Sequence, residues 1–369
     1  MDFEFTEDQK AIAELARSIL TKEVGDERAA DTERTGNFDE RLWTTLAEAG
    51  LLAVAVPLEQ GGQGLGIIEC SILAAETGRT LAPVPLVQSL VFAGLPLAEL
   101  GTEEQREAWL RPLATGDVVL TAAVGQSVEA RHGEGRWVLN GTLADLEAVH
   151  LCRRILVPAR TEEGRAIFIV DPRAEGIEMT LSRGSCGDYL GELRMHNTEL
   201  EEDALVGGPM GVAGENCSNR AFQQALVAVS ATQLGVAEKA LEMTSRHVSE
   251  REQFGRPIGS FQAVQHRAAD CYIDLKAIRW TTWRAAWKLS QGYEAPREAA
   301  IAKFWAAEAG SRIMAAAQHL HGGLGVDTDY PLHRYFTRSR ALELSLGGAE
   351  RHLAGLGREL AAGVARQEL

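Results

Sequence analysis

The sequence predicts an α+β fold with an N-terminal helical domain, a middle β-domain of barrel-like form and a C-terminal four-helix bundle. Three observations predict it. Apolar residues recur at helical intervals before residue 116, short alternating runs fill residues 117 to about 205, and long helical stripes follow. A chain of 369 residues with 45% hydrophobic content can bury more than one core, so we expect domains at 1–116, 117–214 and 215–369.

The composition argues against several classes of protein. No apolar run reaches the roughly 20 residues that span a bilayer, and the start of the chain is acidic where a signal peptide is basic, so we expect a cytoplasmic protein. A net charge of −15 argues against nucleic acid, because phosphate binding needs a basic surface. The five cysteines are scattered and odd in number, so we expect neither a disulfide framework nor a metal site.

Helical periodicity begins near the N-terminus. Phe5, Ile12, Ala16 and Leu20 recur at helical intervals, and Thr6 stands before two acidic residues, as an N-cap does. The pattern predicts further helices at about 39–49, 67–80 and 85–100, with a Gly-rich loop at 51–66.

The apolar pattern changes period after residue 117. Runs such as RWVLNGTLADL and RAIFIVD alternate or are wholly apolar, and the turn sequences GEG, NG and TEEG separate them. Short runs bounded by turn residues are typical of β-strands. The middle of the chain is therefore predicted to form a sheet.

The remainder of the chain is predicted to be helical, with a loop at 206–216 before the first long helix. Further helices are expected at about 297–318, 332–345 and 349–364. One long stripe alternates steps of four and three: Val264, Ala268, Cys271, Leu275, Ile278, Thr282, Ala285 and Leu289. Long helices with a single apolar stripe need partners, so they favour a bundle.

Residues 251–266, REQFGRPIGSFQAVQH, form a corner between two of these helices. Glycine and proline break the helical pattern there, and the corner carries one guanidinium, one phenyl ring and one amide, from Arg251, Phe254 and Gln262. A second Gly-rich stretch, HLHGGLGVDTDYP, spans residues 319–331. A Gly-rich turn after a helix is by itself typical of a C-cap.

Together, the block RxQFGxPIGxFQ and GGLGVDTDYP in a helix–sheet–helix order resemble the acyl-CoA dehydrogenase family of flavoenzymes. The resemblance implies FAD as cofactor, an acyl-CoA thioester as substrate and an electron-transferring flavoprotein as electron acceptor. In that family the corner reaches the FAD of a neighbouring subunit, which implies an oligomer. The residues that would bind this shared FAD are Arg251, Phe254, Gln262, His319, Gly322 and Gly323.

The family's catalytic base is missing from the expected positions. Family members remove the α-proton of the thioester with a glutamate. A gapless count from Tyr330 places Leu346 in the usual position, and a count from Gly235 places Ala225 in the alternative one. Neither side chain accepts a proton, so no catalytic residue is assigned.

The strand that holds the flavin ring in the family is also altered. The gapless register replaces the family's Trp-Ile-Thr triplet by Asp145-Leu146-Glu147, and the preceding loop is shortened to Thr121–Gln126. Two carboxylates beside the ring would oppose the negative charge of reduced flavin. The losses therefore concern this chain's own site, whereas the retained residues serve a neighbour's flavin.

Three hypotheses follow. In the first, the chain is the non-catalytic partner in a hetero-oligomeric acyl-CoA dehydrogenase and completes the FAD site of a homologous catalytic subunit, as in the α2β2 enzymes of actinobacterial sterol side-chain degradation. In the second, it is a self-sufficient enzyme with a relocated base, Glu343 or Glu350. In the third, it is a scaffolding protein without activity. Three arginines at 334, 338 and 340 are predicted at the surface or an interface.

Overall fold

The computed structural model describes residues 4–25, 38–208 and 215–367 of the chain. Its N-terminal part is helical, and Thr6 caps the first helix through reciprocal hydrogen bonds with Gln9. The α-helices are α1 (Glu7–Glu23), α2 (Glu40–Glu48), α3 (Ile67–Thr80), α4 (Leu95–Leu100) and α5 (Glu103–Ala114). No helix in these three described stretches is long and apolar enough to cross a bilayer.

The helix predicted at 85–100 differs from the sequence expectation. Residues Gln88–Gly94 form a π-helix that runs directly into α4. The hydroxyl of Ser89 in this turn donates to the carbonyl of Leu120 at 2.9 Å and accepts from its amide at 3.3 Å, which ties the turn to the sheet. Because π-turns often mark functional sites, the turn that begins at Gln88 is a candidate functional element.

The middle part is one sheet of seven strands: β1 (Leu120–Ala122), β2 (Val128–Gly133), β3 (Arg136–Glu147), β4 (Arg154–Thr161), β5 (Gly164–Val170), β6 (Ile177–Arg183) and β7 (Tyr189–Glu201). The hydrogen-bonded order is β1-β4-β2-β3-β7-β6, and β5 pairs with β4. This path is open, with β1 and β6 at its two ends. Strand β4 pairs in parallel with β1 and then with β2, and the other pairs are antiparallel.

The C-terminal part is helical, as the sequence predicted. Its elements are α6 (Glu215–Glu250), a hairpin of β8 (Glu252–Gln253) and β9 (Arg256–Pro257), α7 (Gln262–Ser290), α8 (Pro296–His321), α9 (Leu332–Leu344) and α10 (Ala349–Gln367). Six of the eight residues in the predicted α7 stripe are buried: Cys271, Leu275, Ile278, Thr282, Ala285 and Leu289. The predicted loop 206–216 falls largely on residues 209–214, which lie outside the described residues.

The three parts share a core, and within it α3 packs closely on α6. A Cβ atom at Gly235 would lie 1.8 Å from the carbonyl oxygen of Ala75, and one at Gly78 would lie 2.1 Å from that of Thr232. These two glycines therefore allow the helix backbones to touch. One continuous cluster of buried apolar residues extends from this crossing through the sheet to α7 and α8. A cavity remains where the three parts meet.

Candidate functional site: an outward corner and a small cavity

The β8–β9 hairpin presents an aromatic ring to solvent at one end of the bundle. Phe254, at its tip, is 93% exposed and has a φ of 56°. A left-handed conformation costs a bulky residue roughly 1–3 kcal/mol, and such strain is concentrated at functional positions. Arg256 stacks over the ring of Phe261 with its Cζ 4.2 Å from the centroid, which steadies the hairpin from behind.

The structure brings the two sequence motifs together. His247, in the last turn of α6, stacks on His321, at the end of α8, with 4.3 Å between ring centroids and 19° between planes. Arg251 follows His247 by one helical turn, and Gly322 follows His321 directly. The corner and the Gly-rich turn therefore lie side by side at one end of the bundle.

All six residues predicted to bind a neighbour's FAD point outward. Arg251, Phe254, Gln262, His319, Gly322 and Gly323 are each exposed. Over the described parts of the chain, no carboxylate lies within ion-pair distance of the Arg251 guanidinium. The positive charge of Arg251 is thus available to an anionic group from outside the chain.

The glycines of the 322–325 turn divide into two kinds. A Cβ at Gly325 would lie 2.7 Å from the carbonyl oxygen of Gln318, so the chain's own packing requires glycine there. A Cβ at Gly323 would meet no atom of this chain within 4 Å. Open space beside an exposed glycine and an exposed arginine fits the phosphate-bearing part of a dinucleotide contributed from outside.

The second feature is the cavity between the helical part, the sheet and the bundle. Its volume is about 150 Å³. Sites for ligands of drug size are usually about 300–1,000 Å³, so this cavity does not fit a flavin ring. Its charged lining residues come from distant parts of the chain: Glu147, His150, Asp188 and Arg338.

A network of polar side chains crosses this cavity. Gln88 donates a hydrogen bond to the carboxylate of Glu147, and Arg338 pairs with Asp188 at 2.6 Å. Burial raises the pKa of Glu147, against the lowering effects of Arg338 and then of Gln88. The network therefore joins the π-helix, the sheet and α9 around the cavity where the ring-binding triplet was expected.

The structure corrects two expectations about charged residues. Asp145 is exposed, because β3 carries an irregularity between Leu143 and Leu146, so Glu147 alone of the two predicted carboxylates reaches the cavity. Arg338 was predicted at the surface or an interface, but its side chain is only 31% exposed and lies in the cavity lining of its own chain. Arg340, two residues further, is exposed and pairs with Glu343, as the surface prediction required.

The shortened loop before the sheet is held against strand β3 by hydrogen bonds. The side-chain amide of Gln126 donates to the carbonyl of Ala144 at 2.7 Å, and its oxygen accepts from the amide of Ala144 at 2.9 Å. Thr121 donates to the carbonyl of Glu147 at 2.9 Å. The side chains of Thr121 and Gln126 therefore bond to the backbone of β3.

The two expected base positions are occupied by apolar side chains. Leu346 is half-buried with a φ of 56°, and it packs against the shared core. Ala225 is completely buried in α6. Of the proposed replacements, Glu343 pairs with Arg340 and Glu350 is exposed in the first turn of α10. The carboxylates in the cavity lining belong to Glu147 and Asp188 instead.

Comparisons with known proteins identify the family. Residues 6–117 match the N-terminal domain of acyl-CoA dehydrogenases, and residues 213–361 match the C-terminal domain of the same family. Acyl-CoA dehydrogenase FadE27 of Mycobacterium tuberculosis is 36% identical over 380 residues, covering 98% of this chain and 99% of that protein. The chain belongs to the acyl-CoA dehydrogenase family.

Solved structures of similar chains support the fold. A chain of the ChsE4-ChsE5 complex from Mycobacterium tuberculosis superposes with a TM-score of 0.92 at 36% identity, over 98% of this chain and 99% of that one. A chain of a Tcur3481-Tcur3483 steroid ACAD variant gives a TM-score of 0.90 at 38% identity, over 97% and 99%. The predicted helical, sheet and helical order is thus confirmed as the acyl-CoA dehydrogenase fold.

Sequence reasoning missed three members of the cavity network. Gln88, Asp188 and Arg338 join Glu147 there, and none of them belongs to a motif. Glu147 alone carried a signal, because a carboxylate replaced a threonine of the expected triplet.

Proposed function

We propose that this chain is the non-catalytic subunit of a hetero-oligomeric, FAD-dependent acyl-CoA dehydrogenase. It would complete the flavin site of a homologous catalytic subunit, which would carry out the α,β-dehydrogenation of an acyl-CoA thioester. The observation that carries the proposal is the contrast between the two sites: the FAD-binding corner is exposed, whereas the chain's own cavity is small and crossed by the Gln88–Glu147 and Arg338–Asp188 pairs.

Arg251, Phe254, Gln262, His319, Gly322 and Gly323 would hold the dinucleotide of the partner. Arg251 suits the pyrophosphate because its guanidinium can form two parallel hydrogen bonds with phosphate oxygens. Phe254 offers a packing face, and the open backbone at Gly323 admits a close approach. When bound, FAD would accept the hydride that leaves the acyl chain.

The chain itself is proposed to bind no flavin ring and to transfer no proton. Leu346 and Ala225 cannot act as a base. The volume of about 150 Å³ leaves no room for the isoalloxazine beside the network that crosses the cavity.

The nature of the partner is inferred from relatives. ChsE4-ChsE5 and Tcur3481-Tcur3483 are both named as pairs of chains, and the second is named a steroid ACAD. We therefore propose a homologous second subunit in an α2β2 assembly, acting in the β-oxidation of a lipid such as a sterol side chain. Electrons would pass to an electron-transferring flavoprotein, and the assembly would work in the cytoplasm.

The decisive experiment is co-expression with a homologous acyl-CoA dehydrogenase from the genomic neighbourhood of this chain. Native mass spectrometry and flavin absorbance would give the stoichiometry of the purified complex. We expect two flavins per four chains, and colourless protein when this chain is expressed alone. Four flavins per tetramer, or one flavin per protomer in the chain alone with turnover of acyl-CoA, would establish the self-sufficient enzyme instead. A partner that binds without flavin would establish the scaffold.

Two neighbouring glycines provide a matched pair of variants. Gly323→Ala meets no atom of this chain, so it should leave the thermal midpoint unchanged but lower the flavin content of the complex. Gly325→Ala places a Cβ 2.7 Å from the carbonyl of Gln318, so it should lower the thermal midpoint of the chain alone. If Gly323→Ala leaves flavin content unchanged, the proposed approach of the dinucleotide to this turn is wrong.

A further inference from the structure

The stacked histidines behind the flavin-facing corner have no assigned role. His247 belongs to α6 and His321 to α8, and their contact joins the hairpin of residues 252–257 to the Gly-rich turn. His321 is 5% exposed, whereas His247 is half-buried. The hairpin itself continues α6, because the amide of Arg251 donates to the carbonyl of His247 at 2.8 Å.

The hydrogen bonds of His321 are those of a ring protonated at Nδ1. Its Nδ1 lies 2.8 Å from the carbonyl oxygen of Ala317, which can only accept, so Nδ1 carries the proton. Its Nε2 is then free to accept from the hydroxyl of Tyr330, 3.3 Å away. This pattern is satisfied by the neutral imidazole.

The surroundings oppose a positive charge on either ring. Burial lowers the pKa of His321, against the opposing effect of its hydrogen bond to Ala317. Burial and then the charges of His321 and Arg251 lower the pKa of His247, and Glu250 acts in the opposite sense. Tyr330, whose surroundings include Arg246 and Glu250, is a further titratable group that contacts the pair.

We propose that the His247–His321 stack is a pH-dependent clasp that holds the hairpin against the Gly-rich turn while both rings are neutral. This rests on the proposed function, because the clasp would set how firmly the complex retains the FAD of its catalytic subunit. His247 and His321 act as positioning residues, since the exposed residues beside them are the ones that would touch the dinucleotide.

The direction of the pH effect follows from linkage. Both histidines have a lower pKa in the folded protein than in an opened corner, where it returns to about 6.5. The clasp is therefore at full strength above pH 6.5 and weakens as the pH falls below it. Between pH 7.5 and 5.5 the opening equilibrium should rise, by at most about tenfold for each histidine, the limit that applies when the ring takes up a proton only on opening.

The clasp is tested first on the chain alone. Hydrogen–deuterium exchange of peptides covering residues 251–261, corrected for the intrinsic exchange rate, should show a loss of protection of more than about twofold between pH 7.5 and 5.5. The double variant His247→Phe/His321→Phe keeps two stacked rings without titration, so its protection should change less than twofold. The variant His196→Phe, at an exposed histidine of β7, should behave like the wild type.

The single variant His247→Phe, at the half-buried ring, covers the case in which the double variant does not fold. It should show a smaller pH effect than the wild type. The clasp would be overturned if the wild type lost no protection at low pH. It would also be overturned if His247→Phe and the double variant His247→Phe/His321→Phe lost as much protection as the wild type.

The link to FAD is tested on the complex by the rise in flavin fluorescence as the cofactor is released. FAD release should become faster below pH 6.5 in the wild-type complex. In the complex with the double variant, the rate of release should not depend on pH. Absence of flavin at pH 8 would contradict the proposed function, whereas flavin release that ignores pH would contradict only the clasp.

Discussion

The variant Arg338→Met tests whether the small cavity between the three parts depends on charge pairing. It removes the guanidinium and keeps an unbranched apolar side chain, which leaves Asp188 without its 2.6 Å partner and Glu147 without a nearby positive charge. Removing one partner of a fully buried pair costs about 3–5 kcal/mol, whereas an exposed pair contributes about 0–1 kcal/mol. Because the side chains of Arg338 and Asp188 are 31% and 44% exposed, we expect an intermediate cost of about 2 kcal/mol.

The assay is thermal unfolding followed by circular dichroism. For a chain of this length, a loss of about 2 kcal/mol should lower the midpoint by about 2–3 °C. Arg340→Met is the matched control, because Arg340 is an exposed arginine of the same helix, and its variant should shift the midpoint by less than about 1 °C. Adding Glu147→Gln to Arg338→Met should restore part of the loss, because it removes one of the two carboxylates left without a positive neighbour.

The pH dependence of this variant has a defined sign. A raised pKa means that folding favours the neutral form of Glu147, so the stability it contributes is greatest at low pH and falls as the pH rises through the folded pKa. Removing Arg338 withdraws a charge that favoured the ionised form. The destabilisation should therefore be larger at pH 8 than at pH 5. Equal midpoints for Arg338→Met and Arg340→Met at pH 8 would refute the charge-paired cavity.

Three further predictions follow from the described contacts. Lys303 is fully buried and donates to the carbonyl of Glu343 at 3.0 Å, and burial lowers its pKa to about 8. The wild type should therefore lose stability as the pH falls from 10.5 to 8. In thermal melts, Lys303→Met should abolish this loss, and a midpoint that depends on pH as in the wild type would contradict the prediction. Leu346→Glu should not give acyl-CoA turnover in the chain alone, because the cavity of about 150 Å³ still excludes the ring, and measurable turnover would show that only the base was missing. In the complex, Arg251→Ala should lower the flavin content. The thermal midpoint of the chain alone should stay within about 1 °C of the wild type, because the side chain of Arg251 is exposed. If the complex retained all its flavin, Arg251 would not belong to the site.

Much of the corner could be predicted from sequence because its signals are local. The glycines and the proline of residues 251–266 interrupt helical periodicity within a few residues, and the structure has a hairpin there between α6 and α7. The apolar stripe of α7 likewise predicted which face of that helix is buried, because apolar residues recur with the helical period of 3.6 residues along its whole length. The resemblance to acyl-CoA dehydrogenases added the order of the three parts.

The sequence by itself thus determined the fold class, the family and the residues of the outward corner. Tertiary structure alone decided how the cavity is filled, because Gln88 and Glu147 are 59 residues apart and Arg338 comes from the bundle. The tertiary structure also decided that Asp145 is exposed to solvent. The irregularity in strand pairing that exposes it cannot be recognised from the alternation of apolar and polar residues in the sequence. Periodicity records which face of an element is buried, but pairing between side chains of different domains depends on the packing of those domains, which no local pattern encodes.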